Sequence, residues 1–327
     1  MNTTSKNNFI KALLLVCLFL TTLFSFGCGN SIKESADICD ECSYSVIDAR
    51  GKKLDFVRKP HRIISCYVYG DEILLDLVAS DRIAGLSKWV HDADLSMASD
   101  HAKAVPTIVE NNPEAILALK PDLVLLPSSS TQENIASLED LGLRVYVYPA
   151  ATRLSNIPDT IKAMGEAVGE GSKANSIILA MQKKLNDVTH KVVYGKQNEK
   201  TALLFLRFGA IGGEGCIFND ILTAAGIRDG YNIARPAGTE SVGSNKVLSK
   251  EEVVKVNPDF LIMANWNQGG AYKSSDVHLQ ELYSDPALAT VEAIKNKKAI
   301  VIPQGYVNCL SHHAADSVEM LFEAVNN

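Results

Sequence analysis

Apolar residues recur at three- and four-residue steps through Ser172–Val192, at Ile177, Ile178, Met181, Leu185, Val188 and Val192. That spacing is the period of an amphipathic helix. Gly169 and Gly171 stop what precedes it, and Ser172 is placed to cap its N-terminus. Lys183, Lys184, His190 and Lys191 favour its C-terminal half, where positive charge suits the helix dipole. No Pro or Gly interrupts the run, and at about 1.5 Å per residue it spans roughly 30 Å. It is expected to be a strut between two lobes; the alternative is an ordinary crossover helix within one larger domain.

On either side the pattern changes to short apolar runs alternating with amphipathic segments. The first half predicts a hairpin over Tyr44–Val57 around Arg50-Gly51, then strands Arg62–Val68, Arg82–Leu86, Leu123–Leu126 and Arg144–Tyr148. Helices Ile73–Val78, Pro113–Leu119, Gln132–Leu141 and Ile157–Val168 fall between and after them. The second half predicts strands Thr201–Phe208, Phe260–Ala264 and Lys298–Ile302, with helices Phe218–Ala225, Ser249–Val256, Leu279–Tyr283, Pro286–Ile294 and Ser311–Val325. Strands alternating with helices imply parallel sheets covered on their faces.

The two halves echo one another. Pro113-Glu114 through Pro121-Asp122 runs parallel to Lys250-Glu251 through Pro258-Asp259, with the same spacing from Glu to Pro-Asp, and Asp71-Glu72-Ile73-Leu74 pairs more loosely with Asn219-Asp220-Ile221-Leu222. The expected architecture is therefore α/β: two Rossmann-like lobes with parallel sheets, residues 44–171 and 194–327, joined by one long α-helix at 172–193. A ligand cleft would lie between the lobes, reached from the carboxyl ends of their strands.

The first residues differ from the rest. Lys6 and Lys11 precede an uncharged apolar run from Ala12 to Phe26, which ends in Gly27-Cys28. This is the pattern of an export signal over residues 1–27. Cys28 directly after Gly27 resembles the lipobox of bacterial lipoproteins, where that cysteine is lipidated; a conventionally cleaved secretory signal is the alternative. Residues 28–43 would be a lipidated tether, and the folded part is expected outside the cytoplasmic membrane, anchored to it. Cys39 and Cys42 form a C-x-x-C unit in that tether. Ser43 denies it the haem-attachment signature, and no second C-x-x-C completes a zinc site, so a local disulfide is the simpler reading. A net charge of −6 without a Lys/Arg-rich run excludes a nucleic-acid footprint.

From Tyr44 to Val325 the chain resembles the helical-backbone substrate-binding proteins of ABC importers, which carry vitamin B12, ferric siderophores or haem. The resemblance rests on Arg62-Ile63-Ile64-Ser65, on Pro113–Asp122, on Leu141-Gly142-Leu143-Arg144-Val145, and on Ser249-Lys250-Glu251 leading to Pro258-Asp259. It implies a monomeric receptor that hands an iron- or cobalt-containing chelate to a permease and its ATPase, with no cofactor of its own. It also implies that Glu114 and Glu251, one per lobe, dock onto arginines of the membrane component. Their simpler role is a carboxylate in the first turn of a helix, worth about 0.3–1 kcal/mol.

The candidate ligand contacts are aromatic: Tyr67, Tyr69, Trp89, Trp266 and Tyr306 all fall on expected cleft loops, where ring faces suit a large ring-rich guest. Arg207 would pair with an anionic group on such a guest, or with a carboxylate of its own lobe. His312 joins them on the last loop. Cys66, Cys309 and His312 offer a weaker, thiolate-and-imidazole route to a bare metal ion or haem; as a lone thiol, each cysteine is more simply a small buried hydrophobe. The glycine loop Gly209–Gly215 follows a strand but lacks both phosphate-loop spacings, and Glu214 would repel phosphate. With G-x-S-x-G and H-E-x-x-H also missing, no constellation supports an enzyme.

Overall fold

A small antiparallel hairpin, β1 (Tyr44–Ile47) and β2 (Lys53–Phe56), precedes two parallel sheets. The computed structural model describes residues 39–110, 112–195, 199–206, 209–236, 247–265 and 275–326. These all belong to one unit, Ala36–Asn327. Cys28, Arg207 and Trp266 lie outside the described residues. Just before the hairpin, Cys39 and Cys42 are joined by a disulfide.

The first sheet contains β3 (Ile63–Ser65), β4 (Ile83–Ser87), β5 (Ile108–Val109), β6 (Leu123–Pro127) and β7 (Val145–Tyr148), ordered β5-β4-β3-β6-β7 and parallel throughout. Its helices are α1 (Val68–Leu77), α2 (Ser99–Ala102), α3 (Pro113–Ala118), α4 (Gln132–Asp140) and α5 (Ile157–Val168). The linking helix α6 runs Gly171–Tyr194. The second sheet holds β8 (Lys200–Leu206), β9 (Gly209–Ile211), β10 (Ile227–Asp229), β11 (Phe260–Asn265) and β12 (Ala299–Pro303). Its order is β10-β8-β11-β12, with β9 folded back antiparallel on β8. Helices α7 (Ile217–Ala224), α8 (Gly230–Ala234), α9 (Lys250–Val256), α10 (Ser275–Tyr283), α11 (Glu292–Lys295), α12 (Gln304–Val307) and α13 (Ala314–Asn326) complete it.

The alternation of strand side chains divides the core. Ile63, Leu123, Leu125, Tyr146 and Tyr148 point to one face of the first sheet, and Ala202, Leu204 and Ile262 to one face of the second. These inner faces share a continuous core with α1, α5, α6, α7 and α13. The outer faces are separate. Ile64, Val124, Leu126, Val145 and Val147 pack with Ile116, Ile135 and Leu138, whereas Leu203, Phe205 and Leu261 pack with Val253, Leu282 and Leu288. The two lobes thus have independent outer layers and a common inner one, with α6 running through it. Ala174, Ile177, Met181 and Val188 supply its buried stripe.

The Pro-Asp repeat performs the same task twice. In the first lobe the Asp122 carboxylate accepts from the N–H groups of His61 and Arg62 at 2.7 and 2.9 Å, and its own N–H donates to the Arg62 carbonyl. In the second, the Asp259 carboxylate accepts from Thr201 N–H at 2.8 Å, and its N–H donates to the Thr201 carbonyl. Each aspartate therefore sets the start of its lobe's central strand. The residue before each proline, Lys120 or Asn257, sits at φ 49° or 48° and turns the chain out of the preceding helix. The helices are capped alike: Asn112 accepts from Glu114 and Ala115 N–H, and Ser249 with Glu252 forms a capping box.

Several expectations are corrected. Helix α1 begins at Val68, not Ile73, so Tyr67 is its N-cap residue and the preceding strand stops at Ser65. The N-cap position of α6 is Glu170; Ser172 is inside the first turn, where its carbonyl accepts from Ser176 Oγ. Gly169, at φ 77°, ends α5 in the left-handed conformation that favours glycine. Part of the glycine loop is strand β9, and β10 is a strand that periodicity over so few residues does not reveal. Pro286–Ile294 forms turns up to Val291 and is helical only from Glu292. The lysines of α6 do more than suit its dipole: Lys184 pairs with Asp316, and Lys191 lies 3.9 Å from Glu319, both on α13.

Candidate functional site

The carboxyl ends of β3, β6 and β7 bring together three tyrosines and a serine loop. Tyr67 and Tyr69 have ring centroids 6.4 Å apart, and Tyr69 meets Tyr148 edge-on at 6.4 Å. Ser130 Oγ donates to the Tyr67 hydroxyl at 3.4 Å, and Ala150 N–H donates to Ser128 Oγ at 3.0 Å. Burial raises the Tyr69 phenol above its ordinary range, against a hydrogen bond with Ser129 that pulls it back. Tyr148 is fully buried and raised further. Tyr69 and Tyr148 therefore stay neutral; Tyr67 and Tyr69 are part-exposed and offer ring faces, while Tyr148 backs them from the core.

Beneath this patch, helix α1 approaches the sheet closely. A side chain at Gly70 would collide with the Tyr148 hydroxyl and crowd Ser65 Oγ. The next residue, Asp71, is fully buried; Ser87 donates to its Oδ2 from N–H at 3.1 Å and from Oγ at 2.5 Å. Burial pushes the Asp71 carboxyl up to about 7, against the pull of hydrogen bonds from serines. Cys66, beside it, is raised to about 12 by burial and by Asp71. Cys309 is likewise buried and raised, its thiol 3.5 Å from Ser311 Oγ. Neither thiol is poised to ionise, and neither joins His312 in a metal-ligating group among the described residues.

Trp89 follows β4 and is 39% exposed, with Lys88 Nζ 4.2 Å over its ring. The strands thus place Trp89 on one side of the tyrosines and the serine loop on the other. Tyr306, in α12, is half-buried against the shared core. Gly305 N–H donates to the Asp94 carbonyl at 2.8 Å, so this segment of the second lobe touches the first. His312 is placed elsewhere. It meets Asp76 Oδ2 at 2.9 Å in the last turn of α1, about 12 Å along that helix from its start near the tyrosines. The glycine loop is tied to its own lobe: Asp229 accepts from Gly213 N–H at 2.8 Å and from Tyr231 N–H at 2.9 Å.

Besides the Gly305–Asp94 and His312–Asp76 contacts, the looser echo supplies two carboxylate clasps between the lobes. Glu72, buried in α1, accepts from Ser311 Oγ of the second lobe at 2.5 Å, and from Ser96 Oγ and Met97 N–H of the first. Asp220, in α7, accepts from the Arg153 guanidinium at 2.7 and 2.5 Å and from Leu154 N–H at 3.0 Å. Each lobe's first helix therefore offers a carboxylate to the loop that follows the other lobe's last strand. An open groove of about 740 Å³ lies at the Arg153 clasp, bounded by Pro158, by Met181 and Leu185 of α6, and by Thr223. Sequence reasoning missed Tyr148, Arg153 and Ser311; the Glu72/Asp220 echo was the signal pointing to the clasps.

Glu114 and Glu251 are exposed, each the second residue of its capped helix, α3 and α9. Hydrogen bonding at the helix start holds the Glu251 carboxyl below its ordinary range, so it is ionised at neutral pH.

Two parallel sheets, a single helix between them, and strand ends facing a common junction define the helix-linked class of two-lobed binding proteins. Residues 63–306 match the family described as periplasmic binding protein, and the chain belongs to that family. It is 23% identical over 326 residues to an uncharacterized ABC transporter substrate-binding lipoprotein, YvrC, of Bacillus subtilis, covering 96% of this chain and 97% of that one. It is 24% identical over 232 residues to a cobalamin-binding protein of Halobacterium salinarum, covering 70% and 61%. Among solved structures, a possible iron-binding periplasmic solute-binding protein of Staphylococcus epidermidis superposes with a TM-score of 0.67 at 22% identity, over 83% of this chain and all (100%) of that one. The haem-binding protein RhuT of Roseiflexus superposes at 0.66 and 19% identity, over 81% and 97%.

Proposed function

We propose that the protein is an extracytoplasmic receptor, lipid-anchored through Cys28, that binds a ferric siderophore or cobalamin between its lobes and delivers it to an ABC importer. The observation that carries this reading is the pair of part-exposed tyrosines Tyr67 and Tyr69 at the strand ends, backed by buried Tyr148 and flanked by Trp89, in a chain of the periplasmic binding protein family. Ring faces and hydroxyls suit a bulky chelate whose metal is already saturated. The relatives add support: one is named a cobalamin-binding protein and another an iron(3+)-hydroxamate-binding protein. Arg207, Trp266 and Tyr306 complete the proposed contacts from the second lobe. Haem or a bare metal ion is the alternative guest, but the raised thiols of Cys66 and Cys309 give thiolate ligation little support.

In this mechanism the guest settles on the tyrosines, closure is limited because the long helix α6 resists bending, and Glu114 and Glu251 engage the permease. The protein itself performs no bond chemistry. The test is a tryptophan-fluorescence titration with cobalamin, haem and several ferric siderophores, paired with uptake measurements in cells. One intact chelate should quench saturably, and Tyr69→Ala should weaken it about tenfold or more, the loss of one aromatic contact. Glu114→Ala with Glu251→Ala should abolish uptake while leaving that titration unchanged. Saturable quenching by none of the chelates would overturn the reading, and undiminished uptake by the glutamate pair would remove their docking role.

A further inference from the structure

We propose a transition-metal site of the kind that takes Zn²⁺, built from Asp76, His312 and His313 and separate from the cargo cleft. One potential ligand atom from each of the three lies within 4.8 Å of the other two. His312 Nε2 is 2.9 Å from Asp76 Oδ2, and the two imidazoles are 4.1 Å apart between centroids. The histidine side chains are only 12% and 19% exposed.

The surroundings resemble a metal site's outer shell. Asp316 engages Nδ1 of His313 at 2.9 Å and is itself paired with Lys184 of the linking helix. A carboxylate on one imidazole nitrogen orients the ring and makes the other a better ligand. That other nitrogen, His313 Nε2, is buried and without a hydrogen-bond partner, as is His312 Nδ1. His101 Nδ1 lies 3.4 Å from Asp76 Oδ1 on an exposed side chain but stands outside the three-residue group, so water would complete the coordination. Two imidazoles and one carboxylate suit zinc, copper or nickel rather than calcium or magnesium, which prefer oxygen.

Asp76 belongs to the first lobe and both histidines to the second, so a bound ion cross-links the lobes beside the Glu72–Ser311 clasp. An ion that binds only the folded chain raises its stability by mass action. The site is independent of which chelate the cleft accepts.

The experiment is calorimetric titration of ZnCl₂ into the full chain after stripping with EDTA, with melting temperature followed in parallel. Saturable binding at an equimolar ratio and a higher melting temperature are expected. His312→Ala with His313→Ala should weaken binding about 100-fold or more, and Asp316→Asn about tenfold. His61→Gln, an exposed histidine elsewhere, should bind as the parent does. If the alanine pair fails to fold by circular dichroism, the His312→Asn/His313→Asn pair replaces it. Absence of saturable binding below millimolar zinc, or parental affinity in the folded double variant, overturns the site.

Discussion

Asp71 shows how a single buried group couples folding stability to pH. Its carboxyl is raised from the ordinary 3.8 to about 7, chiefly by burial. A raised carboxyl favours the folded state only while it is protonated. Its contribution is therefore full below the unfolded value and is lost as pH rises through the folded one, across the window from about 4 to 7. The change is on the order of a few kcal/mol. Asp71→Asn keeps an acceptor for Ser87 and removes the titration. Thermal melts should show the parent losing stability between about pH 4 and 7 more steeply than the variant; parallel profiles would refute the shift. Gly70, one residue earlier, is a second test of the same crowding. Gly70→Ala should cost about 1–3 kcal/mol in urea unfolding, because its methyl group meets the Tyr148 hydroxyl. Neither effect is visible in the sequence, where Gly70-Asp71 looks like a loop before a helix. The burial that creates both comes from β4 and β7, far off in the chain.

At the scale of elements the sequence was most informative where a pattern occurred twice. The Pro-Asp repeat was legible as spacing alone, and its meaning is the pinning of the chain just before β3 and at the second residue of β8. Asp122→Ala removes two backbone bonds and Asp259→Ala one. Each should destabilise the chain by about 1–2 kcal/mol in urea unfolding, the first by more than the second. Equal losses would mean that the carboxylates act only through local charge. The linking helix was legible for a different reason: its apolar stripe is long enough for periodicity to accumulate. Short elements defeated the same approach. β9 and β10 have three residues each, and α1 starts on a glycine-containing stretch whose helicity is imposed by packing on the sheet. The candidate site divided likewise. Tyr67, Tyr69 and Trp89 could be placed because they follow strands, whereas His312 could not, because the loop that carries it crosses to the other lobe's helix.

For the whole molecule the question is what keeps the lobes in register: the rod, the clasps, or both. Helix α6 is held by the shared core through Ile177, Met181 and Val188, and by lysine pairs to α13. The clasps are polar, Glu72 with Ser311 and Asp220 with Arg153. Their strengths differ. Ser311→Ala takes one donor from a buried carboxylate and should cost about 1–3 kcal/mol. The Arg153 side chain is 44% exposed, and solvent screening limits its pair to about 0.5–1 kcal/mol. If the rod sets the geometry, the Ser311→Ala/Arg153→Ala double variant should expose amides near residues 153–156 and 308–313 to hydrogen exchange. Protection across Ile177–Val188 should stay at the parental level, since those amides open only with the core. Loss of protection in α6 as well would show that the clasps, not the helix, hold the halves together. Limited closure around a guest would then have to be governed by polar contacts between the lobes, these clasps among them, and cutting them should widen the range of chelates accepted.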